Sequence, residues 1–265
     1  YVSGSVFDYC VFKDFLNNRA LTINGTNILI SNSRVYNNAG GISSTDCIIT
    51  IVNTTCKMNS ASSGGVISQN EGDTKLYNCT FSNNNATWYG GVLSGNGGGS
   101  VTSYYSTYSN NTAGNEGGVF YHNGHGSFNL SLFNSVFENN SADDKGGVIY
   151  NYTYEGDLYL ENCVMKNNSA PRGGVVYKQE RGVWGAGSGT INRSMFINNT
   201  ASDFASVIHY EASGYGDYGF GVLEISNSIF YANTGGTSNS NRGALIDTYT
   251  GNYDNIPLGS YNPLD

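Results

Sequence analysis

The chain has 265 residues, with 36 Gly, 37 Asn, 38% hydrophobic and only 12% charged residues, and a formal net charge of −8. This composition has too few helix formers for a helical bundle, and its 13% aromatic residues and three Pro argue against disorder. No apolar stretch reaches the ~18 residues that cross a membrane, and an acidic, charge-poor surface does not attract nucleic acids. We therefore expect a β-forming chain of one or two domains, with neither a membrane span nor a nucleic-acid partner.

An internal repeat extends along most of the sequence. Segments such as NCTFSNNNATWYGGVLS and NSVFENNSADDKGGVIY align on an apolar residue three positions before an Asn. The apolar column consists of Phe15, Val35, Cys56, Phe81, Tyr108, Phe137, Met165, Phe196 and Phe230. The Asn column consists of Asn18, Asn38, Asn59, Asn84, Asn111, Asn140, Asn168, Asn199 and Asn233. A Gly pair usually follows, beginning at Gly40, Gly64, Gly90, Gly117, Gly146 and Gly173. Composition alone does not place Asn at every one of these positions, so we interpret the chain as a repeat protein.

Each repeat contains three short strand-like runs separated by turn residues. One repeat, for example, contains FNLSLF, a bend at Asn139-Asn140 and then GGVIY. Stacked in parallel at ~4.8 Å per coil, such units form an all-β, single-stranded parallel β-helix of about nine coils and roughly 40 Å. We expect the Asn column to form an amide ladder and to adopt the left-handed bend between sheets, and the Gly pair to form a corner. The predicted organisation is a cap at 1–14, β-helix repeats at 15–246 and a cap or tail at 247–265.

These motifs carry a family resemblance. The pattern F-x-N-N-x-A followed by G-G-V-[IVFL]-Y resembles the FxxN and GGA(I/L/V) repeats of the chlamydial polymorphic outer membrane protein family. The resemblance covers about Phe15 to Ile246, and it departs from the family in having Val or Ile instead of Ala after most Gly pairs. It implies a right-handed, pectin-lyase-like β-helix in an adhesive or surface-structural protein. The repeat is specific for the fold and much less so for function, because it occurs in unrelated surface proteins.

The stretch after each Gly-Gly strand varies and lengthens along the chain, whereas the stretch between the ladder Asn and the Gly pair keeps nearly the same length. We expect the variable stretches to stack at one corner as a side wall, here called the variable wall. The variable wall contains His122, His125, Tyr152, Tyr154, Glu180, Arg181, Trp184, His209, Glu211, Tyr215 and Tyr218. Aromatic rings with scattered polar groups are typical of sugar or protein contacts. The alternative is that these side chains only cover the edge of the sheet.

Some parallel β-helices are polysaccharide lyases or hydrolases, so catalytic motifs need to be weighed. Gly124-His125-Gly126 and Asp143-Asp144 match short motifs of polygalacturonase-type hydrolases, but in the reverse order and without the Arg-Ile-Lys motif of that family. Inverting hydrolysis needs two carboxyl groups about 6.5–9.5 Å apart, and we expect His125 and the Asp pair at different corners. No Zn spacing or calcium-binding repeat occurs. We therefore predict no catalytic residues, no metal and no cofactor, and structural calcium has no supporting motif.

The five cysteines do not determine the compartment. The disulfide candidates are Cys47, Cys56 and Cys79, paired as Cys47 with Cys56 or as Cys56 with Cys79. Cys79 and Cys163 share one column three coils apart, which at ~4.8 Å per coil is too far for a disulfide. We interpret these two as small packed residues and Cys56 as a buried one. An odd number of cysteines leaves at least one thiol without an intramolecular partner.

N-x-[ST] sequons are slightly more frequent than composition alone predicts. The predicted glycosylation sites are Asn24, Asn85, Asn110, Asn129, Asn139, Asn151, Asn167, Asn192 and Asn198. Four of them, Asn110, Asn139, Asn167 and Asn198, arise from the repeat itself and would form a row along one corner. The alternative is that sequons are a by-product of the repeat.

Together these observations favour a secreted or cell-surface β-helical glycoprotein with an adhesive or structural role. Its expected partners are other copies, in a filament or tandem array, or host and matrix glycans and surface proteins. The alternative function is a carbohydrate-active β-helix enzyme or a lectin that uses the variable wall.

Overall fold

The structure, a computed structural model, describes residues 4–124, 126–153, 155–180, 187–212, 221–235 and 245–250. The first strands are β1 (Gly4–Asp8), β2 (Val11–Lys13), β3 (Leu21–Asn24), β4 (Asn27–Ser31), β5 (Arg34–Tyr36), β6 (Ile42–Val52), β7 (Thr55–Lys57), β8 (Ser60–Ser63), β9 (Ile67–Tyr77), β10 (Thr80–Ser82), β11 (Asn85–Tyr89), β12 (Leu93–Tyr104), β13 (Thr107–Ser109), β14 (Thr112–Ala113) and β15 (Phe120–Asn123). The later strands are β16 (Phe128–Phe133), β17 (Val136–Glu138), β18 (Ser141–Ala142), β19 (Ile149–Thr153), β20 (Leu158–Glu161), β21 (Val164–Lys166), β22 (Val176–Glu180), β23 (Gly189–Asn192), β24 (Met195–Ile197), β25 (Thr200–Ala201), β26 (Ile208–Ala212), β27 (Leu223–Ser226), β28 (Ile229–Tyr231), β29 (Thr234–Gly235) and β30 (Ile246–Thr250).

Strands of successive levels, one level being one turn of the chain around the axis, pair in parallel and confirm the predicted all-β solenoid. The first side is a 15-stranded sheet, the second side is the nine-stranded sheet from β2 to β28, and the third side consists of four-stranded and two-stranded sheets. The third side is paired at the levels of Ser60, Asn85, Thr112, Ser141, Ser169, Thr200 and Thr234. These are about seven complete turns, slightly fewer than the nine coils predicted, because the first two levels lack a third-side strand.

The core forms because side chains alternate along each strand and equivalent residues stack from level to level. On the second side, the rings of Phe81, Tyr108 and Phe137 are buried and parallel, with centroids 4.9 and 4.6 Å apart. Burial of each such side chain stabilises the fold by about 1.5–3 kcal/mol. The repeated apolar residue of the sequence therefore forms one continuous column in the interior.

The register at the N-terminal level differs from the sequence alignment. β2 pairs with β5 so that Phe12, and not Phe15, lies beside Val35. Phe15 takes the ladder position instead, where its backbone N–H donates to Asn38 Oδ1 at 3.1 Å. The assignment of Phe15 and Asn18 to the two columns is therefore wrong. An Asn pair follows Phe15 at the spacing of the repeat, but pairing with the next level sets the register.

The predicted cap boundaries also need correction. β1 and β2 pair with β4 and β5 in the manner of later levels, so the solenoid begins before residue 15. At the other end, β30 pairs with β26, so the sheet continues beyond residue 246.

Arg19 covers the third side where the first levels have no strand. Its guanidinium donates to the carbonyl oxygen of Ser63 at 3.0 Å, with longer contacts to the carbonyls of Ile42 and Gly64 at 3.4 and 3.5 Å. Burial lowers the pKa of this guanidinium from its ordinary value. The side chain thus supplies donors to a sheet edge that would otherwise stay open.

The bend after the second side is made by the residue before each ladder Asn. Asn139 and Asn167, for example, have φ of 58° and 54°, so the prediction that the ladder Asn itself adopts the left-handed bend is wrong. The Gly pair behaves as predicted, since Gly146 has φ of 64° and a Cβ there would collide with the carbonyl oxygen of Ile149. At the equivalent corner Ala205 keeps a φ of 55° without glycine.

The variable stretches interrupt the first side at a single corner, as predicted. β6, β9 and β12 are continuous across this corner, whereas the next levels are divided into β15 and β16, and then into β19 and β20. β12 pairs with both β15 and β16, so the interruption leaves the register intact. The rigid solenoid therefore carries insertions without a change in its stacking.

Candidate functional site

Asn140 shows the geometry of the amide ladder. Its backbone N–H and its Nδ2 both donate to Asn168 Oδ1 at 3.0 Å, and Nδ2 also donates to the carbonyl oxygen of Tyr108 at 3.0 Å. The ladder joins Asn38, Asn59, Asn84, Asn111, Asn140, Asn168, Asn199 and Asn233, as predicted. Asn18 is exposed and lies outside it. Because the ladder amides bond to one another and to the backbone, their role is structural.

The cysteines are all free thiols, so the predicted pairings of Cys47 with Cys56 and of Cys56 with Cys79 are wrong. Cys79 and Cys163 lie in a column of small side chains, where Ser106 Oγ accepts a hydrogen bond from the Cys79 backbone N–H at 3.1 Å. Burial raises the pKa of Cys79 and Cys163 to about 11 and that of Cys56 well above its ordinary value. These thiols stay protonated at neutral pH and are not nucleophiles.

Four stacked tyrosines cover the corner next to the Gly pairs. The tyrosine stack consists of Tyr89, Tyr121, Tyr150 and Tyr177, with successive ring centroids 4.4, 5.2 and 5.7 Å apart. It forms a cluster separate from the main core, and burial raises the pKa of Tyr121 to about 12. Since the ring faces pack on one another, the stack does not offer the open aromatic face that a sugar ring would contact. Its role is to seal this corner.

Charged side chains pack against the tyrosine stack. Lys145 Nζ lies 2.8 Å from Glu116 Oε1, and it lies 5.5 and 5.3 Å from the ring centroids of Tyr150 and Tyr177. Lys145 thus combines an ion pair with two cation–π contacts. It links adjacent levels of the solenoid.

The Asp143-Asp144 pair does not form a paired-carboxylate site. Asp144 Oδ1 accepts a hydrogen bond from Arg172 Nε at 3.0 Å, and Asp144 Oδ2 lies 3.7 Å from Lys145 Nζ. Asp143 is exposed. One carboxylate is therefore held in an ion network while its neighbour faces solvent.

His209 continues the tyrosine stack and is not a surface contact residue, contrary to its place in the variable wall. Its side chain is 0% exposed, its ring centroid lies 4.4 Å from that of Tyr177, and its Nδ1 lies 2.8 Å from Asp247 Oδ2. Its Nε2 lies 3.7 Å from Glu211 Oε2. A histidine held between two carboxylates and a ring is fixed in orientation.

His122 is also buried, at 2% exposure, so its assignment to a contact surface is wrong. Its ring stacks on Phe128 with centroids 3.8 Å apart, and its Nε2 lies 2.7 Å from the carbonyl oxygen of Gly97. Burial lowers the pKa of His122 to about 4. The imidazole is therefore neutral at pH 7, with Nε2–H donating to Gly97.

The other residues of the variable wall divide into two groups. Tyr152 and Glu211 are half-buried and lie in one column, with Gln179 between them. Glu180 ends β22, and only its backbone is described. The remaining wall residues, His125, Tyr154, Arg181, Trp184, Tyr215 and Tyr218, lie outside the described residues. A contact surface at this corner stays a prediction.

The third side carries an open groove of about 420 Å³ across three levels. Its lining consists of Ser141, Ala142, Asp143, Ser169, Ala170, Pro171, Thr200 and Ser202. The groove combines hydroxyl groups and one carboxylate with a floor of small apolar side chains. The sequence shows only that this stretch keeps nearly the same length from repeat to repeat, and the groove becomes visible only when three levels are stacked.

Trp88 is a second feature of the third side that the sequence interpretation missed. Its side chain, in β11, is 55% exposed. The equivalent segments in the next levels are turns rich in Gly and Asp. Exposed tryptophan is uncommon on surfaces and is enriched at energetically important contacts. The sequence did contain a signal for this site, because Trp88 is a large aromatic residue at a position where the neighbouring repeats have small or polar residues.

The predicted glycosylation sites differ in accessibility. Asn24, Asn85, Asn110, Asn129, Asn139, Asn167 and Asn198 are exposed, and Asn192 is half-buried. Asn151 is 1% exposed, so its assignment as a glycan site is wrong for the folded chain. It lies beside His122 and Lys178 in the first side, and both of these side chains are buried.

Within the described part of the chain, no three or more His, Cys, Asp or Glu side chains are grouped so as to hold a metal ion. Over the same residues, no helix is long and apolar enough to cross a membrane.

The stacked parallel strands, the amide ladder and the Gly corners define a repeat-built parallel β-solenoid. Within it, residues 134–152 match the Chlamydia polymorphic membrane protein (Chlamydia_PMP) repeat. The match covers one bend, β17, β18 and most of β19, together with the ladder residue Asn140 and the Gly pair. The resemblance to this repeat is thereby confirmed. No curated protein and no solved structure matches the chain.

Proposed function

We propose that this chain is a secreted or cell-surface glycoprotein that serves as a non-catalytic adhesive or structural rod. The observation that carries the proposal is a surface-protein repeat built into a solenoid whose ladder amides hydrogen-bond to one another. The ladder amides, the buried thiols and the ion network around Asp144 are each engaged in packing or pairing. What remains available to partners is the outer surface.

The third side is the face that we propose for contact with glycans or surface proteins. Trp88 supplies an exposed aromatic anchor on β11, which pairs with β8 and β14 at Asn85 and Ala86 and shifts register between Ala86 and Tyr89. An anchor on a paired strand reduces the entropy cost of binding. Tryptophan anchors of this kind dominate many interfaces.

An adhesion assay tests this proposal. Beads carrying the full chain are offered a glycan array and panels of matrix and surface proteins, and Trp88→Ala is compared with Tyr105→Ala, since Tyr105 is 66% exposed at another bend. We expect Trp88→Ala to weaken binding about tenfold or more, with unchanged thermal unfolding, and Tyr105→Ala to bind normally. Equal binding by both variants would contradict the assignment to the third side. Turnover of any polyuronide by the wild-type chain would support the alternative of a carbohydrate-active enzyme.

Self-association is the second mode of partnership that we propose, through the ends of the rod. Large apolar side chains are exposed at the first level, at Val6 and Val11, and at the last described levels, at Ile229 and Tyr231. Strand edges with exposed apolar residues recruit further strands, and contact between unlike ends produces filaments. Electron microscopy should show axial repeats near 40 Å for about nine levels, and Val11→Lys should abolish them. Monodisperse rods from the wild-type chain would contradict end-to-end assembly.

A further inference from the structure

The exposed sequons of the repeat form a row beside the third-side groove. Asn139, Asn167 and Asn198 are exposed and have φ of 58°, 54° and 53°. In each sequon the next residue is a ladder Asn, and the hydroxyl residue after it lines the groove, as Ser141, Ser169 and Thr200. The left-handed bend therefore turns one Asn of each pair outward and the other inward.

Asn167 has an amide that can carry a sugar without loss of its present contact. Its Nδ2 donates to Asn139 Oδ1 at 3.2 Å. A side-chain amide has two N–H donors, and N-glycosylation replaces only one of them. The remaining N–H can keep the bond to Asn139, so the attached sugar leaves from a fixed position.

The groove has the chemistry that a pyranose needs. Ser141, Ser169 and Thr200 offer hydroxyl groups at intervals of ~4.8 Å, and Ala170 and Pro171 line the same groove with apolar surface. Sugar sites pair a few polar groups with an apolar surface for the C–H face of the ring. Asn167 belongs to the middle of these three levels.

We propose that the third-side groove seats the first N-acetylated pyranose of a glycan linked to Asn167. The inference rests on the proposed function in one respect, namely that the chain is a glycoprotein. It goes further in assigning the occupant of the groove to the chain's own glycan, while Trp88 on the same side stays available to external partners.

The test uses the full chain produced in a host that performs N-glycosylation. Glycopeptide mass spectrometry first measures occupancy at Asn167 and at Asn24, an exposed sequon on the first side. A native endoglycosidase that cuts between the first two N-acetylglucosamine residues is then applied. We expect cleavage at Asn167 to be about tenfold slower than at Asn24, because seating of the core sugars hides the bond.

Ser202→Trp fills the groove without touching a sequon, and Ser62→Trp is its matched control on the third side outside the groove. Ser202→Trp should leave occupancy unchanged and raise the cleavage rate at Asn167 to that at Asn24, while Ser62→Trp should have no effect. If Asn167 is occupied but its glycan is cleaved as fast as that of Asn24, the proposal that the groove holds the sugar is wrong. The proposal that the chain is a glycoprotein is unaffected by this outcome. An unoccupied Asn167 beside an occupied Asn24 also overturns the proposed seat in the groove. Absence of glycans at both Asn167 and Asn24 likewise overturns the seat, and absence at every sequon also contradicts the proposal that the chain is a glycoprotein. The adhesion assay is read separately from these outcomes.

Discussion

The side chain of Asn140 reaches Asn168 on the next level, and the backbone N–H of Asn140 reaches the same oxygen, both at 3.0 Å. One Oδ1 therefore accepts two hydrogen bonds from one residue, which closes a small ring between two levels. Because both residues are 0% exposed, loss of either partner leaves buried polar groups unsatisfied.

Asn140→Ala should lower the free energy of unfolding by on the order of 1–3 kcal/mol, because its backbone and side-chain partners lose a buried hydrogen bond. Asp143→Ala, three residues further along and exposed, should change it by less than about 0.5 kcal/mol. Chemical denaturation of both variants measures the difference. Equal effects would mean that the ladder contributes nothing beyond an ordinary surface position.

Arg19→Ala should destabilise the first levels more than the rest of the rod. The guanidinium hydrogen bond to the Ser63 carbonyl is charge-assisted and is worth about 1.5–3 kcal/mol. Hydrogen exchange should show faster exchange in β3 and β8 and unchanged exchange in β20 and β23. Uniform exchange throughout the chain would contradict a local cap.

Stability should fall as the pH decreases from about 6.5 to about 4, because burial lowers the pKa of His122 to about 4 in the folded chain. The unfolded chain binds a proton at His122 before the folded one, so the stabilisation is present above the unfolded pKa and is lost on acidification. The shift corresponds to an upper limit of roughly 3 kcal/mol. Urea denaturation at pH 7 and pH 4.5 measures it, with His122→Gln as the comparison. The free energy of unfolding of the variant should depend less steeply on pH than that of the wild-type chain. An identical pH dependence in both would contradict the prediction.

The native chain should react with iodoacetamide at Cys10 and resist modification at Cys56, Cys79 and Cys163. Cys10 is half-buried, whereas the others are 0–2% exposed, and burial raises their thiol pKa values. Mass spectrometry after labelling with and without denaturant gives the number and the positions of the modified cysteines. Recovery of a disulfide-linked peptide would contradict the free thiols.

The sequence predicts the solenoid well because its periodic residues serve contacts that recur at every level. Asn140 has an Asn on the level before it and on the level after it, and Phe137 likewise has an apolar side chain on each, Tyr108 and Met165, so one repeat informs the next. At the first level this reasoning failed, since Phe15 imitates the motif and only pairing of Phe12 with Val35 reveals the register.

The accessibility of individual residues at the variable corner could not be predicted in the same way. His122 and Asn151 are register neighbours, but each is followed by a stretch whose length and composition differ between levels, so the sequence alone does not show that either side chain is covered. The groove near Ser169 was hidden for another reason. It is made by three levels together, and none of the three segments carries its signature alone.

Phe15 limits where a further coil can join the amide ladder. It occupies the ladder position at the first level, where its backbone N–H donates to Asn38 Oδ1. Because Phe15 has no side-chain amide, it offers no Oδ1 that could accept hydrogen bonds from a further ladder residue. A duplicated coil placed between Asn38 and Asn233 would find an amide donor on one side and an acceptor on the other. A coil placed ahead of Phe15 would find no side-chain amide at the ladder position, because Phe15 contributes only its backbone N–H there. Whole coils should therefore be gained or lost more readily between Asn38 and Asn233 than beside Phe15.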